Sequence, residues 1–302
     1  MRCRPATLAL AAVAGSLAFA LAMARPASAQ AAGAASPAPP ASASPAASPS
    51  ATPADLSTED MQEASQSVDP LAPKRAFTIE DENTQSVAGP NNQVNLVGQI
   101  PLTFNPPFAE MLAGGHALSF VRLKLPIVTT SPTNSGVDAI TGTGDLTVSW
   151  LAGFGTARSR WAAGAVLKFP TGSGALGSGK WSAGPALGYT YEVRRWTFGV
   201  YTATSISYAG TRSRPPLAQT QITPSITYAF ADGWSVGNSD MQYTYDYYQR
   251  EFTNLPVGLR VAKRYKLGKQ RASTYFEWER NLTAVGGTSV TMRLGTRFIF
   301  GP

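Results

Sequence analysis

Gly172-Ser173-Gly174-Ala175-Leu176-Gly177-Ser178-Gly179-Lys180, continuing as Trp181-Ser182-Ala183-Gly184-Pro185-Ala186-Leu187-Gly188-Tyr189-Thr190-Tyr191, decides between two folds. Gly172, Gly174 and Gly177 fit G-x-G-x-x-G, and Gly174, Gly179 and Lys180 fit most of a P-loop. Either phosphate site needs a helix after the glycines, because the free N–H groups of its first turn bind the anion. The glycines lead instead into Trp181, Ala183, Pro185, Leu187, Tyr189 and Tyr191 alternating with Ser182, Gly184, Ala186, Gly188 and Thr190. That is the period of a strand, and Pro185 would break a helix. A P-loop also carries Ser or Thr after its Lys to hold magnesium, and Trp181 stands there. The glycines therefore read as a loop on a β-hairpin whose second strand starts at Trp196, and no cofactor or metal is expected.

The N-terminus supplies a further objection to a nucleotide. Residues 1–29 read as a secretory signal peptide: Arg2 and Arg4 form a basic start, Leu8 to Ala24 is apolar, and Ala27-Ser28-Ala29 is a cleavage site. An exported protein has no ready supply of ATP. Cys3, the single cysteine, falls in this segment, so the mature chain has no disulfide, thiol nucleophile or thiolate metal site. Removing Arg2, Arg4 and Arg25 from the 25 basic residues leaves a small excess over 18 acidic ones, with no basic block of the kind that binds nucleic acid. Residues 30–74 are dominated by Ala, Pro and Ser; such a segment cannot bury enough apolar surface to offset its ordering entropy and reads as a disordered linker.

From Arg75 onward, segments of roughly ten residues with apolar side chains at every second position recur, each ended by Gly, Asn, Pro or Asp. Twelve can be drawn, at about 75–86, 91–104, 116–128, 143–152, 161–170, 180–192, 195–208, 218–230, 233–247, 252–265, 270–282 and 288–300. Acidic or polar residues interrupt the apolar set of the first and the ninth. A soluble sandwich would alternate too, but three features favour a membrane barrel. Trp161, Trp181, Tyr191, Trp196, Tyr228, Trp234 and Phe300 lie near strand ends, as in an interfacial girdle. Short connections such as Val193-Arg194-Arg195 and Ala231-Asp232-Gly233 take turns with longer ones such as Thr129–Gly142 and Gly210–Leu217. Phe300 ends the last segment, like the C-terminal aromatic that barrel-assembly machinery reads. The expected fold is all-β: a closed antiparallel transmembrane β-barrel of about twelve strands over residues 75–302, in the outer membrane of a Gram-negative cell.

Alternation assigns the other face to the lumen. Arg122, Lys124, Lys168, Arg260, Arg264, Arg293 and Arg297 are expected there, with the acids Asp145, Glu277 and Glu279. An antiparallel register places Glu277 near Arg260 on one neighbour and Arg293 on the other, an Arg–Glu–Arg ladder that stiffens the wall. The same charges can form a constriction with mild anion preference. His116, the sole histidine, and Ser119 are the residues from which a barrel-embedded hydrolase would have to be built, but three residues apart on a strand they face opposite ways.

The run Gly177-Ser178-Gly179-Lys180-Trp181-Ser182-Ala183-Gly184-Pro185-Ala186-Leu187 resembles a family of bacterial outer-membrane transporters named after the meta-cleavage pathway of phenol degradation. Further matches are Gly89-Pro90-Asn91-Asn92-Gln93, Gly144-Asp145-Leu146, Gln221-Ile222-Thr223-Pro224, Asp232-Gly233-Trp234, Tyr243-Thr244-Tyr245-Asp246 and Leu255-Pro256-Val257-Gly258. The resemblance covers residues 75–300 and implies an outer-membrane barrel. Joined to the lumen charges, it gives the expectation of a passive channel, not an enzyme, for small, aromatic or weakly anionic solutes, with outer-membrane lipid as its surroundings. A plugged structural barrel and a hydrolase around His116 or the glutamates remain the alternatives.

Overall fold

In hydrocarbon every backbone N–H and C=O needs a partner, and strands achieve this only when the sheet closes on itself. The computed structural model describes residues 71, 74–86, 89–102, 118–130, 138–156, 158–268, 270–283 and 289–300. Its strands are β1 (Arg75–Ser86), β2 (Gly89–Leu102), β3 (Leu118–Thr130), β4 (Ile140–Thr143), β5 (Leu146–Gly155), β6 (Ser159–Phe169), β7 (Lys180–Val193) and β8 (Trp196–Gly210). They continue as β9 (Ala218–Ala229), β10 (Trp234–Asn238), β11 (Tyr243–Asp246), β12 (Glu251–Asn254), β13 (Pro256–Leu267), β14 (Gln270–Asn281) and β15 (Val290–Phe300). All pairings are antiparallel between neighbours, and β1 pairs β15 from Arg75↔Phe300 to Gln85↔Val290, which closes the ring. Because β10 and β11 form one interrupted stave, β12 and β13 another, and β4 only extends the β3 hairpin, the barrel has twelve staves.

Two faces separate cleanly. Phe77, Leu167, Phe198, Ile226, Leu259, Phe276, Met292 and Leu294 are all exposed and share the outward parity. Asn95, Phe120 and Glu277 share the inward one and are wholly buried. The aromatics form a belt around the short-turn end. Trp161 packs on Tyr189 with ring centroids 4.4 Å apart, Trp196 on Tyr228 at 4.9 Å, and Tyr228 on Phe230 at 4.8 Å. Trp234, with Lys263 over its ring, and the exposed Tyr191 and Phe300 extend it. Trp181 stands at the other end, edge-on to Phe169. Such a band of aromatics above and below an apolar middle matches the two interfaces of a bilayer.

The ninth stave breaks where its sequence pattern was weakest. Residues 239–242 leave the ladder between β10 and β11, and β9 pairs β10 over only three residues, Thr227 to Ala229. Asn238 covers the gap: its side chain accepts from Ile226 N–H at 2.5 Å and donates to Pro224 O at 2.7 Å and Ser239 O at 2.8 Å. A carboxamide thus replaces missing ladder bonds on a wall that water cannot reach. On β1 the interrupting acids divide: Glu80 and Glu82 turn inward, whereas Asp81 is exposed on the outer face beside the Asn83–Asn92 pair.

The glycine loop does hold an anion, and the anion belongs to this chain. Asp145, in the link between β4 and β5, accepts hydrogen bonds from Gly172 N–H at 3.1 Å and Ser178 N–H at 2.8 Å, and from the Ser178 hydroxyl. A Cβ on Gly172 or Gly177 would strike the other's backbone and the Asp145 carboxylate, so the close approach requires glycine at both. Arg214 Nη2 donates to Gly174 O at 2.7 Å and ties this loop to the next. Asp145, expected among the lumen acids, anchors this loop and also lies within Coulombic reach of the inward Lys168. Asp145→Ala removes the acceptor of two partly buried N–H groups, a loss of about 0.5–1.5 kcal/mol each. Hydrogen exchange should accelerate across 170–180 while the heat-modifiable migration of the barrel stays unchanged.

Candidate functional site

Inward residues of β1, β2, β13, β14 and β15 build one continuous polar network. Register places Glu277 opposite both Arg260 and Arg293. The carboxylate lies 3.2 Å from Arg260 Nη1 and 3.2 Å from Arg293 Nη1. Arg293 also donates to Glu279 Oε2 at 2.9 Å and through Nε to Glu82 Oε2 at 3.2 Å, so one guanidinium serves three carboxylates on two neighbouring strands. A buried charge is tolerable only when paired and hydrogen-bonded in this way. Around it, Tyr275 donates to Glu80 at 2.6 Å, and Asn95 donates to Glu80 at 2.9 Å and Glu82 at 3.3 Å. Arg260 stacks 3.8 Å over the Tyr275 ring. Gly295, directly across from Tyr275, leaves the space that ring occupies, since a Cβ there would overlap it.

The break in the ninth stave completes this wall. Ser239 donates to Glu279 Oε2 at 3.1 Å, and Asp240 N–H to Glu277 Oε2 at 3.2 Å. Leaving the ladder carries Asp240 into the lumen, within Coulombic reach of Arg293, Lys124, Arg122 and Arg260. Arg293 and Arg260 belong to the same wall, whereas Arg122 and Lys124 stand on β3, several staves away around the ring. Lys124, Thr147 and Lys168 occupy one row across β3, β5 and β6, with Arg122, Ser149 and Val166 in the row beside it. Glu80, Glu82, Asp240, Glu277 and Glu279 thus gather around Arg260 and Arg293 on the β13–β1 side, while Arg122, Lys124 and Lys168 stand on the β3–β6 side, with Asp145 within Coulombic reach of Lys168.

Towards the short turns the β3–β8 wall loses its charge. The next row is Phe120, Leu151, Gly164, Ala186 and Ala203, and beyond it come Gly153, Ala162, Gly188 and Tyr201. Below these, Arg160 is ion-paired with Glu192. Leu71 is packed into this apolar patch with Phe120, Leu151, Ala162, Val166, Ala186 and Ala203. Its side chain touches the Gly188 position, and Gln99 donates to Lys74 O at 3.1 Å. Composition assigns Leu71 and Lys74 to the end of the linker; the structure places Leu71 inside the barrel, because it is a large aliphatic side chain with an apolar wall to meet. Lys74, converged on by Arg297, Arg160 and Arg264 and partly desolvated, has its ammonium pKa lowered, burial being the larger cause.

Residues 78–285 match the family described as "Putative MetA-pathway of phenol degradation". The chain belongs to that family. No curated protein matches it. Among solved structures, an outer-membrane channel from Pseudomonas putida F1 superposes with a TM-score of 0.54 at 15% identity, over 77% of this chain and 98% of the other. The outer membrane phospholipase A from Escherichia coli superposes with a TM-score of 0.43 at 11% identity, over 80% and 97%. The first likeness shows a shared barrel fold. With its apolar outer band and closed ring, this family member is an outer-membrane β-barrel.

In this member of the phenol-degradation family, the expected lumen residues Arg122, Lys124, Lys168, Arg260, Arg264, Glu277, Glu279, Arg293 and Arg297 all carry the inward parity of their strands. They do not form one ring. Arg260, Glu277, Glu279 and Arg293 meet; Arg122, Lys124 and Lys168 share the other wall; Arg264 and Arg297 sit nearer the short turns, beside Lys74. Sequence reading missed Glu80, Glu82 and Asp240, which bring the inward acids close in number to the cations. Glu80 and Glu82 were legible in principle, two apart on β1, but Asp81 between them hid the parity. Asp240 was not legible, since only the break in its stave turns it inward. Ser119 faces outward and is buried between neighbouring strands; His116 and the signal peptide at 1–29 lie outside the described residues.

Proposed function

We propose that the barrel is a passive, non-enzymatic channel for small solutes across the outer membrane. The observation that carries this reading is the lumen's uneven charge: Asp240, Glu82, Glu277 and Glu279 outnumber Arg260 and Arg293 on one side, and Arg122, Lys124 and Lys168 stand on the other. A purely structural barrel gains nothing from desolvated charges that face each other across its axis, whereas a conduit uses such a field to orient and select solutes. Twelve staves are enough to enclose a narrow lumen, which inward side chains also occupy. The phenol-degradation family and the Pseudomonas putida channel support the same class. Aromatic or weakly anionic solutes fit best, because the apolar patch lies directly beneath the cations. Protein refolded in detergent, heat-modifiable on gels, and inserted into planar bilayers should give discrete conductance steps; a folded barrel that never conducts would refute the proposal. Ester hydrolysis lost in His116→Ala would replace it with an enzyme.

A further inference from the structure

The apolar patch on the β5–β8 wall has the form of a binding niche with an occupant. Its floor is built of residues without bulk, Gly164, Ala186, Gly188 and Ala203, between Phe120 and Tyr201. At Gly188 the missing side chain leaves the space that Leu71 occupies, whereas at Gly164 the Trp150 backbone closes in. Leu71 enters the hollow and is almost wholly buried. One end of the niche is polar: Tyr201 lies near Ser149 and within Coulombic reach of Arg122, with Lys124 and Lys168 one row further and Asp145 beside Lys168. An apolar hollow under three cations suits a molecule with a ring or short alkyl chain at one end and a single carboxylate at the other.

We infer that this niche is a channel subsite for the apolar part of a small monocarboxylate, that Arg122, Lys124 and Lys168 receive the carboxylate, and that Leu71 is the internal group the solute displaces. The inference deepens the channel reading and relies on it for the solute's route, but binding can be measured without transport. Leu71 precedes β1, and Leu71→Ala shortens only its side chain, so the substitution empties the niche while the backbone stays in place.

The test is equilibrium dialysis of radiolabelled benzoate, acetate and benzyl alcohol against the refolded full-length chain. Leu71→Ala should tighten benzoate binding about tenfold, the equivalent of uncovering one buried aliphatic side chain. Acetate, which has the charge and no ring, should not change. Ala203→Leu, which fills the niche from the wall, should weaken benzoate by a similar factor. Arg122→Gln should weaken benzoate and leave benzyl alcohol unaffected. If Leu71→Ala leaves benzoate binding unchanged, or alters acetate equally, the niche is not a subsite and Leu71 only fills space. A barrel that binds benzoate in this pattern yet does not conduct would overturn the channel reading alone; one that conducts without the pattern would overturn the subsite alone.

Discussion

Replacing Arg293 by alanine is expected to lower the unfolding free energy by roughly 3–5 kcal/mol, the usual cost of removing one partner from a buried ionic cluster. Glu82, Glu277 and Glu279 all depend on this guanidinium, and Glu277 and Glu279 are nearly inaccessible to water. Arg260 reaches only Glu277, so it does not substitute. Tryptophan fluorescence during urea titration in lipid vesicles provides the measurement. Adding Glu277→Gln and Glu279→Gln to Arg293→Ala should restore much of the loss, since neutral amides leave no uncompensated charge. A single Arg293→Ala that unfolds at the wild-type urea concentration would show that the network is solvated through the lumen and bears little of the barrel's stability.

The other large effect is on selectivity. Arg122→Glu together with Lys124→Glu alters the β3 wall by four charge units. At about 8 Å through water each unit changes a permeating ion's energy by roughly 0.5 kcal/mol, so the sum is about 2 kcal/mol at low salt. Cations gain and anions lose that amount, so the cation-to-anion permeability ratio changes by the equivalent of about 4 kcal/mol, or nearly a thousandfold before screening, towards cations. Reversal potentials across a potassium chloride gradient read it directly, and the effect should shrink above about 1 M salt, where the Debye length falls to about 3 Å. Both side chains face the lumen on β3, two staves from the Glu82–Arg293 contact, so stability should change less than in Arg293→Ala. An unaltered reversal potential would mean that the conducting path does not pass this wall.

Most of the barrel was readable because a strand in lipid has to alternate, and alternation leaves a record in sequence. The twelve segments drawn from Arg75 to Phe300 follow the twelve staves within a few residues at each end. The largest displacement is at the fourth segment, drawn from Thr143: β4 ends there, Asp145 turns to cap the glycine loop, and β5 begins at Leu146. That cap depends on two loops meeting, which no periodicity records. The Arg260–Glu277–Arg293 ladder was also readable, because the three residues share one face and few antiparallel registers keep that face inward.

What the sequence determined by itself was therefore everything carried by period and composition: the strands, their inward and outward faces, the aromatic belts, and the identity of Gly172–Gly179 as a loop rather than a phosphate cradle. The tertiary structure decided what happens where the period fails. Only closure of the ring brings Glu82 on the first strand to Arg293 on the last, and only a broken stave turns Asp240 into the lumen. Only the enclosed volume gives Leu71, from a segment with little else to bury, an apolar wall to pack against. Each of these depends on contacts between residues far apart in the chain, whose energies exist once the barrel has closed and leave no repeating signal along it.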